Sequence, residues 1–298
     1  MFSTLENYAT ERTYIQVRRC LICSAVPFIV AIYMTEMQAT GQDKLRGSPA
    51  VHHYFLKEKH PHEAKWGYAG KLGPEFWGKL SPKYRLAAEG KGQSPINIPS
   101  KCTVPAQLPV LKFEYQKERI AAVNNGHTIQ HNEKRGSFLH VGRRVYALEQ
   151  FHFHVPSEHT IDGRHADMEI HFVHKSEKLG KVVVVAVMVN ADCKKPAVSI
   201  PLYTELPKQI NEAAEAKNIN RNPVNLIPSD RRYFTYRGSF TTPPCTEGVK
   251  WIVMKSPIVI RPEVLAAFKR VIGPNNRPIQ NRNDRNIRSS LSQERDSP

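Results

Sequence analysis

The run Gln150-Phe151-His152-Phe153-His154 carries two histidines with one residue between them. In a β-strand, residues i and i+2 share a face, so both imidazoles point the same way, about 7 Å apart at Cα. Side chains so placed can converge on one ion. A third candidate ligand, His171, lies in Met168-Glu169-Ile170-His171-Phe172-Val173-His174. Three protein nitrogens and one open position describe a catalytic zinc site rather than a closed structural one. The chain has 13 histidines, so a chance i,i+2 pair has to be weighed. The neighbours argue against chance. Gln150 precedes His152 by two and Glu169 precedes His171 by two, so each shares a face with its histidine. A metal-bound histidine usually donates its other N–H to an oxygen acceptor, which fixes tautomer and ring orientation. Gln150 and Glu169 stand at the parity that role requires.

These residues need strands to hold them. Phe151, Phe153, Ile170 and Phe172 fall on the opposite faces and can anchor both segments in a core. Val110–Glu114, Ile120–Asn124, Thr128–Asn132 and Arg143–Leu148 read as further strands, bounded by Asn, Gly and Pro. Val182–Val189 is a continuous apolar, mostly β-branched run, expected of a strand buried on both faces. Leu202–Ala216 and Pro262–Ile272 read as helices, the second opening with proline in its first turn. No internal repeat is present. The expected fold is mainly β, a single domain with a few short helices.

The motifs QSPINI (Gln93 to Ile98), NNGH (Asn124 to His127), QFHFHVPSEH, MEIHFVH, YRGSFTTPPCTEGVKW (Tyr236 to Trp251) and NNRP (Asn275 to Pro278) together resemble the α-class carbonic anhydrases. The likeness runs from about Lys65 to Arg288 in the family's order. The short Lys175–Lys181 connection resembles the bacterial secreted members more than the animal cytosolic ones. Trp66, Tyr68 and Trp77 match aromatic positions near the family's N-terminus.

The resemblance implies one large twisted, mostly antiparallel sheet with Zn2+ at the base of a cone-shaped cleft. It implies zinc-bound hydroxide attack on carbon dioxide, giving bicarbonate and a proton. Zinc-bound water in carbonic anhydrases has an established pKa of about 7, against about 15.7 in bulk water. His152, His154 and His171 match the metal ligands. Thr241 matches the threonine that accepts the hydroxide's hydrogen bond and passes its own O–H to a glutamate, here Glu158. A carboxylate only accepts, so that chain of bonds has one direction. Val173, Val184, Phe240, Val249 and Trp251 match the apolar wall for CO2, and Thr242 a bicarbonate contact. His127 matches the proton shuttle, suited by a side chain that titrates near neutrality; Asn125 and Gln130 match residues that order the intervening water. His131 is an alternative proton carrier.

The chain has 298 residues and a formal net charge of +16. Its basic residues are scattered, with no nucleic-acid-binding motif beside them, so no nucleic-acid partner is expected. Arg12, Arg18 and Arg19 precede an apolar stretch from Cys20 to about Met34, too short for an ordinary span and suited to a signal-peptide core. Residues 1–39 are thus expected to be a signal peptide or N-terminal anchor and 40–62 a flexible, histidine-bearing linker. The catalytic domain is expected over 63–288 and a disordered tail over 289–298. Export to the periplasm or medium follows, with no stable membrane span in the mature form. A homodimer is left open. Of the five cysteines, Cys102, Cys193 and Cys245 lie beyond the leader. A Cys102–Cys245 bridge and a free Cys245 both remain open.

Three other readings compete. A non-catalytic binding protein of the same fold would typically have lost a ligand histidine. A zinc peptidase or esterase would want an HExxH helix, which is absent. A zinc buffer would use the linker histidines His52, His53, His60 and His62, and metal stoichiometry separates it from an enzyme.

Overall fold

The computed structural model describes residues 64–200 and 204–291. The expected leader and linker lie outside the described residues, as does most of the tail. The first strands are β1 (Asn97–Ile98), β2 (Val104–Ala106), β3 (Leu111–Glu114), β4 (Glu118–Asn124), β5 (Ile129–Asn132) and β6 (Phe138–Val141). β7 (Arg144–His154), β8 (Thr160–Ile161), β9 (Arg164–His165), β10 (Met168–Lys175) and β11 (Val182–Ala191) follow. The last are β12 (Ala213–Arg221), β13 (Tyr233–Ser239), β14 (Glu247–Met254), β15 (Ile258–Ile260) and β16 (Arg288–Ser290). The helices are α1 (Trp77–Leu80), α2 (Leu86–Glu89) and α3 (Pro262–Ile272), alongside short 3-10 turns.

One large sheet runs β12-β4-β5-β7-β10-β11-β14-β13-β16-β2, with β6 beside β7, β3 beside β6 and β15 beside β11. Its pairings are antiparallel except β11–β14, β11–β15 and β16–β2, which are parallel. β1, β8 and β9 form a small separate sheet. The fold is therefore the expected mainly-β one, with a mixed sheet in which antiparallel pairs dominate.

The central strands carry a core on each face, and that decides where chemistry can sit. On β11, Val183, Val185, Val187 and Val189 join one apolar cluster, while Val184, Ala186 and Met188 join the other. This is why that run shows no polar alternation. On β7 and β10, Phe151, Phe153, Ile170 and Phe172 enter the first cluster. Fully burying one such aromatic side chain contributes roughly 1.5–3 kcal/mol. Successive side chains alternate faces, so His152, His154, Glu169 and His171 are pinned to the other side. α3 closes the first core with Val264, Leu265, Ala267 and Phe268 buried. Its last turn ends at Gly273, whose φ of 57° is the left-handed conformation glycine tolerates best.

Two expectations are corrected. The described part of 202–216 is not helical: turns lead into β12, which pairs antiparallel with β4 at the sheet edge. Glu212 organises those turns by accepting the backbone N–H groups of Lys208 and Gln209. The ordered chain also runs past 288. Ser289 and Ser290 are polar but buried in β16, which pairs with both β13 and β2, and the Ser290 hydroxyl accepts the Tyr233 N–H.

Candidate active site

β7 and β10 are antiparallel neighbours in a register that sets His171 opposite His152 and Glu169 opposite His154. The three rings meet at centroid separations of 5.0 Å (His152–His154), 5.3 Å (His152–His171) and 4.6 Å (His154–His171). One nitrogen from each lies within 4.8 Å of the others.

Each ring is held by an acceptor on its outer side. His152 Nδ1 donates to Gln150 Oε1 at 2.7 Å. His154 Nδ1 donates to the backbone carbonyl of Asn275 at 2.8 Å. His171 Nε2 donates to Glu169 Oε1 at 2.8 Å. Carbonyl and carboxylate oxygens only accept, so the proton of each neutral ring is on the outer nitrogen. The lone pairs then sit on His152 Nε2, His154 Nε2 and His171 Nδ1. Burial, followed by the charges of its neighbours His154 and His171, pushes His152 well below its ordinary value, and burial also lowers His154. Neutral imidazole is the ligand form.

Glu169 is the hub of the outer layer. Fully buried, it accepts from His171 and from His159 Nδ1 at 2.7 Å through Oε1. Its Oε2 accepts the backbone N–H groups of Glu158 and His159, both at 2.8 Å. Burial opposes ionisation, but the charges and hydrogen bonds of His159 and His171 hold the carboxyl well below its usual range.

Glu158 is fully buried beside the cluster. Its Oε1 accepts the Arg277 backbone N–H at 2.8 Å. Its Oε2 is 3.6 Å from His154 Nε2 and 3.8 Å from His171 Nδ1. Both Glu158 Oε2 and His154 Nε2 are buried without a hydrogen-bond partner. Unpaired buried polar atoms cost free energy, and lone pairs that face one another and a carboxylate oxygen call for a cation. The residues fit zinc: three neutral nitrogens, each with an outer acceptor, around atoms that lack a partner. The expected Thr241-to-Glu158 hydrogen bond is not formed. Thr241 is buried just beyond β13, and Glu158 Oε2 faces the histidines instead.

The expected apolar wall comes together across β10, β11 and β14. Val184 pairs with Val173 on one side and Trp251 on the other. Val184, Val249 and Trp251 are buried in one cluster, with Val173 and Phe240 half-buried against it. The Trp251 ring stands edge-on to His171 at 4.9 Å and its Nε1 donates to the Ser239 carbonyl. Thr242 sits in the following turn, its carbonyl accepting the Cys245 N–H.

His127 occupies the turn between β4 and β5. Asn125 Oδ1 accepts the N–H groups of His127 and Thr128, and Asn125 Nδ2 donates to Gln130 Oε1 at 3.2 Å. Gln130 is the cross-strand neighbour of His152. The His127 ring stacks on Trp66 at 3.7 Å with planes 6° apart. Burial lowers its pKa. His131 is not an alternative proton carrier for this site. It pairs with Phe151, on the other face, and bonds Ala121 and Glu118.

Three contributors had no assigned role in the sequence. The carbonyl that orients His154 belongs to Asn275, and a backbone atom leaves no signature. His159 links Glu169 to the Tyr236 hydroxyl, 2.7 Å from its Nε2; its place beside Glu158 was the available signal. Arg277 donates to Gln93 Oε1 and to the Ser94 and Ala87 carbonyls, tying the QSPI and NNRP motifs together. Cys102 and Cys193 are exposed and Cys245 buried, all three as free thiols, so the Cys102–Cys245 bridge is not made. Burial pushes the Cys245 thiol up to about 11.

The model of the eukaryotic-type carbonic anhydrase family matches residues 72–291. A carbonic anhydrase of a Nostoc species is 39% identical over 223 residues, 74% of this chain and 84% of that relative. One from Neisseria gonorrhoeae is 40% identical over 238 residues, covering 78% and 90%. The solved α-carbonic anhydrase of Thermovibrio ammonificans, in complex with sulfanilamide, superposes with a TM-score of 0.71 at 40% identity, covering 76% of this chain and 99% of that one.

Proposed function

The chain belongs to the eukaryotic-type carbonic anhydrase family, and we propose that it hydrates carbon dioxide reversibly at a zinc ion held by His152, His154 and His171. The observation that carries the zinc assignment is the inward convergence of three lone pairs beside the partnerless His154 Nε2 and Glu158 Oε2. Zinc bound there supplies a dipositive Lewis acid that brings the pKa of water to about 7, the established carbonic anhydrase value.

The chain's own residues do the rest. Gln150, the Asn275 carbonyl and Glu169 hold the three rings in the binding tautomer. Thr241 accepts a hydrogen bond from the nucleophile, and on metal binding its own O–H turns to Glu158 Oε2, the acceptor that has no partner in this structure. Val173, Val184, Phe240, Val249 and Trp251 exclude water and receive the apolar substrate. Thr242 contacts bicarbonate. His127 takes up the released proton at its ring nitrogen, through water ordered by Asn125 and Gln130.

Stopped-flow CO2 hydration on zinc-loaded protein, with and without a sulfonamide, tests this reading. Zinc-dependent hydration that the sulfonamide abolishes is expected. A zinc-loaded chain with no hydration above background overturns it.

We also propose that the chain is exported to the periplasm or medium, on the strength of the arginine-flanked apolar stretch Cys20–Met34. Among the described residues no helix is long and apolar enough to cross a membrane. N-terminal sequencing of protein from its native host should find a start beyond that stretch; a soluble cytosolic chain beginning at Met1 contradicts it.

A further inference from the structure

A second cluster of metal-ligating side chains lies on the other face of the sheet. Glu118 opens β4, His131 is in β5 and Glu133 directly follows β5. One ligand atom of each lies within 4.8 Å of the others. The three side chains are 10%, 3% and 1% exposed, so the group is buried rather than a solvated acidic patch. We propose that Glu118, His131 and Glu133 form a second cation site, distinct from the three-histidine centre, that takes Zn2+ or a neighbouring first-row divalent ion.

The hydrogen bonds set up the ligands. His131 Nδ1 donates to the Ala121 carbonyl, an acceptor-only partner, which puts the proton of the neutral ring on Nδ1 and the lone pair on Nε2. A backbone carbonyl behind the ring is a usual support for a metal-bound histidine. Nε2 faces two carboxylates: Glu118 Oε1 at 2.6 Å and Glu133 Oε2 at 3.7 Å. Glu133 Oε1 accepts from the Ser137 hydroxyl, which aims the second oxygen inward. That oxygen, Glu133 Oε2, is buried and has no hydrogen-bond partner. Glu118 Oε2 takes only a long bond from the Lys134 N–H, at 3.4 Å.

A proton on Nε2 satisfies part of this arrangement. An imidazolium paired with Glu118 leaves Glu133 Oε2 unbonded. A dipositive ion in place of that proton neutralises both carboxylates and gives Oε2 a partner. Neighbouring ligands on a tetrahedral zinc ion are about 3.4 Å apart, given bond lengths of about 2.1 Å. The Glu133 contact is already close to that, and the Glu118 contact needs to open by less than 1 Å. One nitrogen and two carboxylate oxygens suit zinc, manganese and iron better than the soft or square-planar ions. Bound there, an ion ties β4 to the strand whose opposite face carries Gln130.

The test is zinc retained per chain after dialysis of the full-length protein, for wild type, Glu133→Gln and His154→Ala. Wild type should hold two tight equivalents. Glu133→Gln should weaken one of them by at least about tenfold, as even indirect supports of a metal do, and leave CO2 hydration intact. His154→Ala should lose the other. Loose binding by the linker histidines would persist in all three and cancel in the differences. If Glu133→Gln misfolds, Glu118→Gln takes its place. A single equivalent in wild type, lost in His154→Ala and untouched by Glu133→Gln, overturns this site and leaves the catalytic one standing. The converse pattern, a single equivalent lost only in Glu133→Gln, upholds this site and sinks the catalytic one. As a second readout, Zn2+ should raise the melting temperature of His154→Ala but not of His154→Ala/Glu133→Gln; an equal rise in both overturns the proposal.

Discussion

The three-histidine centre and the Glu118–His131–Glu133 cluster sit on opposite faces of the same sheet. In the register of β5 and β7, Gln130 pairs with His152 while the next pair, His131 with Phe151, points the other way. Both clusters have imidazoles whose outer N–H is fixed by an oxygen acceptor, so orientation alone does not separate them. Their charge does. His152, His154 and His171 bring no negative charge; of the two carboxylates nearby, Glu169 bonds the outer nitrogen of His171, and Glu158 Oε2 stands 3.6 Å and 3.8 Å from His154 Nε2 and His171 Nδ1. A cation held there keeps its full charge to acidify water. At His131 two carboxylates share the pocket, so a cation would be neutralised and act as a structural tie. Strand histidines on opposite faces of one sheet thus specify different chemistry according to the carboxylates beside them.

The harshest way to break this comparison is to remove a neutral ligand. His154→Ala should reduce CO2 hydration to background and abolish zinc retention at that centre, because two histidines cannot complete the three-point anchor. Zinc analysis and stopped-flow rates on the purified variant check it; near-normal zinc and activity would remove His154 from the ligand set.

Changing the charge at the catalytic centre is the next largest effect. Glu158→Gln keeps a carbonyl oxygen for the Arg277 N–H but loses the anionic acceptor for Thr241. Hydrogen bonds to charged groups contribute about 1.5–3 kcal/mol, so kcat/KM should fall about ten- to a hundredfold with zinc retained. A variant that keeps full kcat/KM removes Glu158 from the orienting role.

Weakening an outer acceptor sharpens the comparison without touching charge. Gln150→Ala frees His152 Nδ1 and should cost about 10–100-fold in zinc affinity, read by chelator competition. Unchanged affinity would mean that the hydrogen bond does not orient the ring.

The smallest effect concerns proton export. His127→Ala should lower maximal turnover in weak buffer, leave kcat/KM near wild type, and recover with added imidazole. Burial disfavours the imidazolium form of His127, so its neutral, proton-accepting form persists to lower pH. The shuttle-limited inflection should fall below the ordinary histidine value of 6.5. Trp66→Ala removes the stacked ring, exposes His127 and should move the inflection up. A profile that ignores both substitutions places proton export elsewhere.

Much of this was legible because strand parity is rigid. Alternation put Gln150, His152 and His154 on one face and Phe151 and Phe153 on the other, and the same rule served β10. The continuous valine run of β11 was legible because a strand with a core on each face has no polar side. What escaped depended on partners remote in sequence. Leu202–Ala216 looked helical, but Ala213–Arg221 is held as an edge strand by pairing with β4, and tertiary pairing overrides local propensity. The Asn275 carbonyl is invisible in a sequence that encodes side chains. The bond between Thr241 and Glu158 was expected from the resemblance, whereas Glu158 Oε2 faces the histidine nitrogens. Ser289 and Ser290 read as tail because nothing local reveals that β13 and β2 flank them.

The most direct measurement is a zinc titration of metal-depleted Glu133→Gln protein, following CO2 hydration by stopped flow. With the other cluster disabled, the catalytic account predicts a rate that rises linearly with zinc and breaks at one equivalent per chain, and no rise at all when His154→Ala is added. Hydration that needs no metal, or a one-equivalent break that survives His154→Ala, would contradict it.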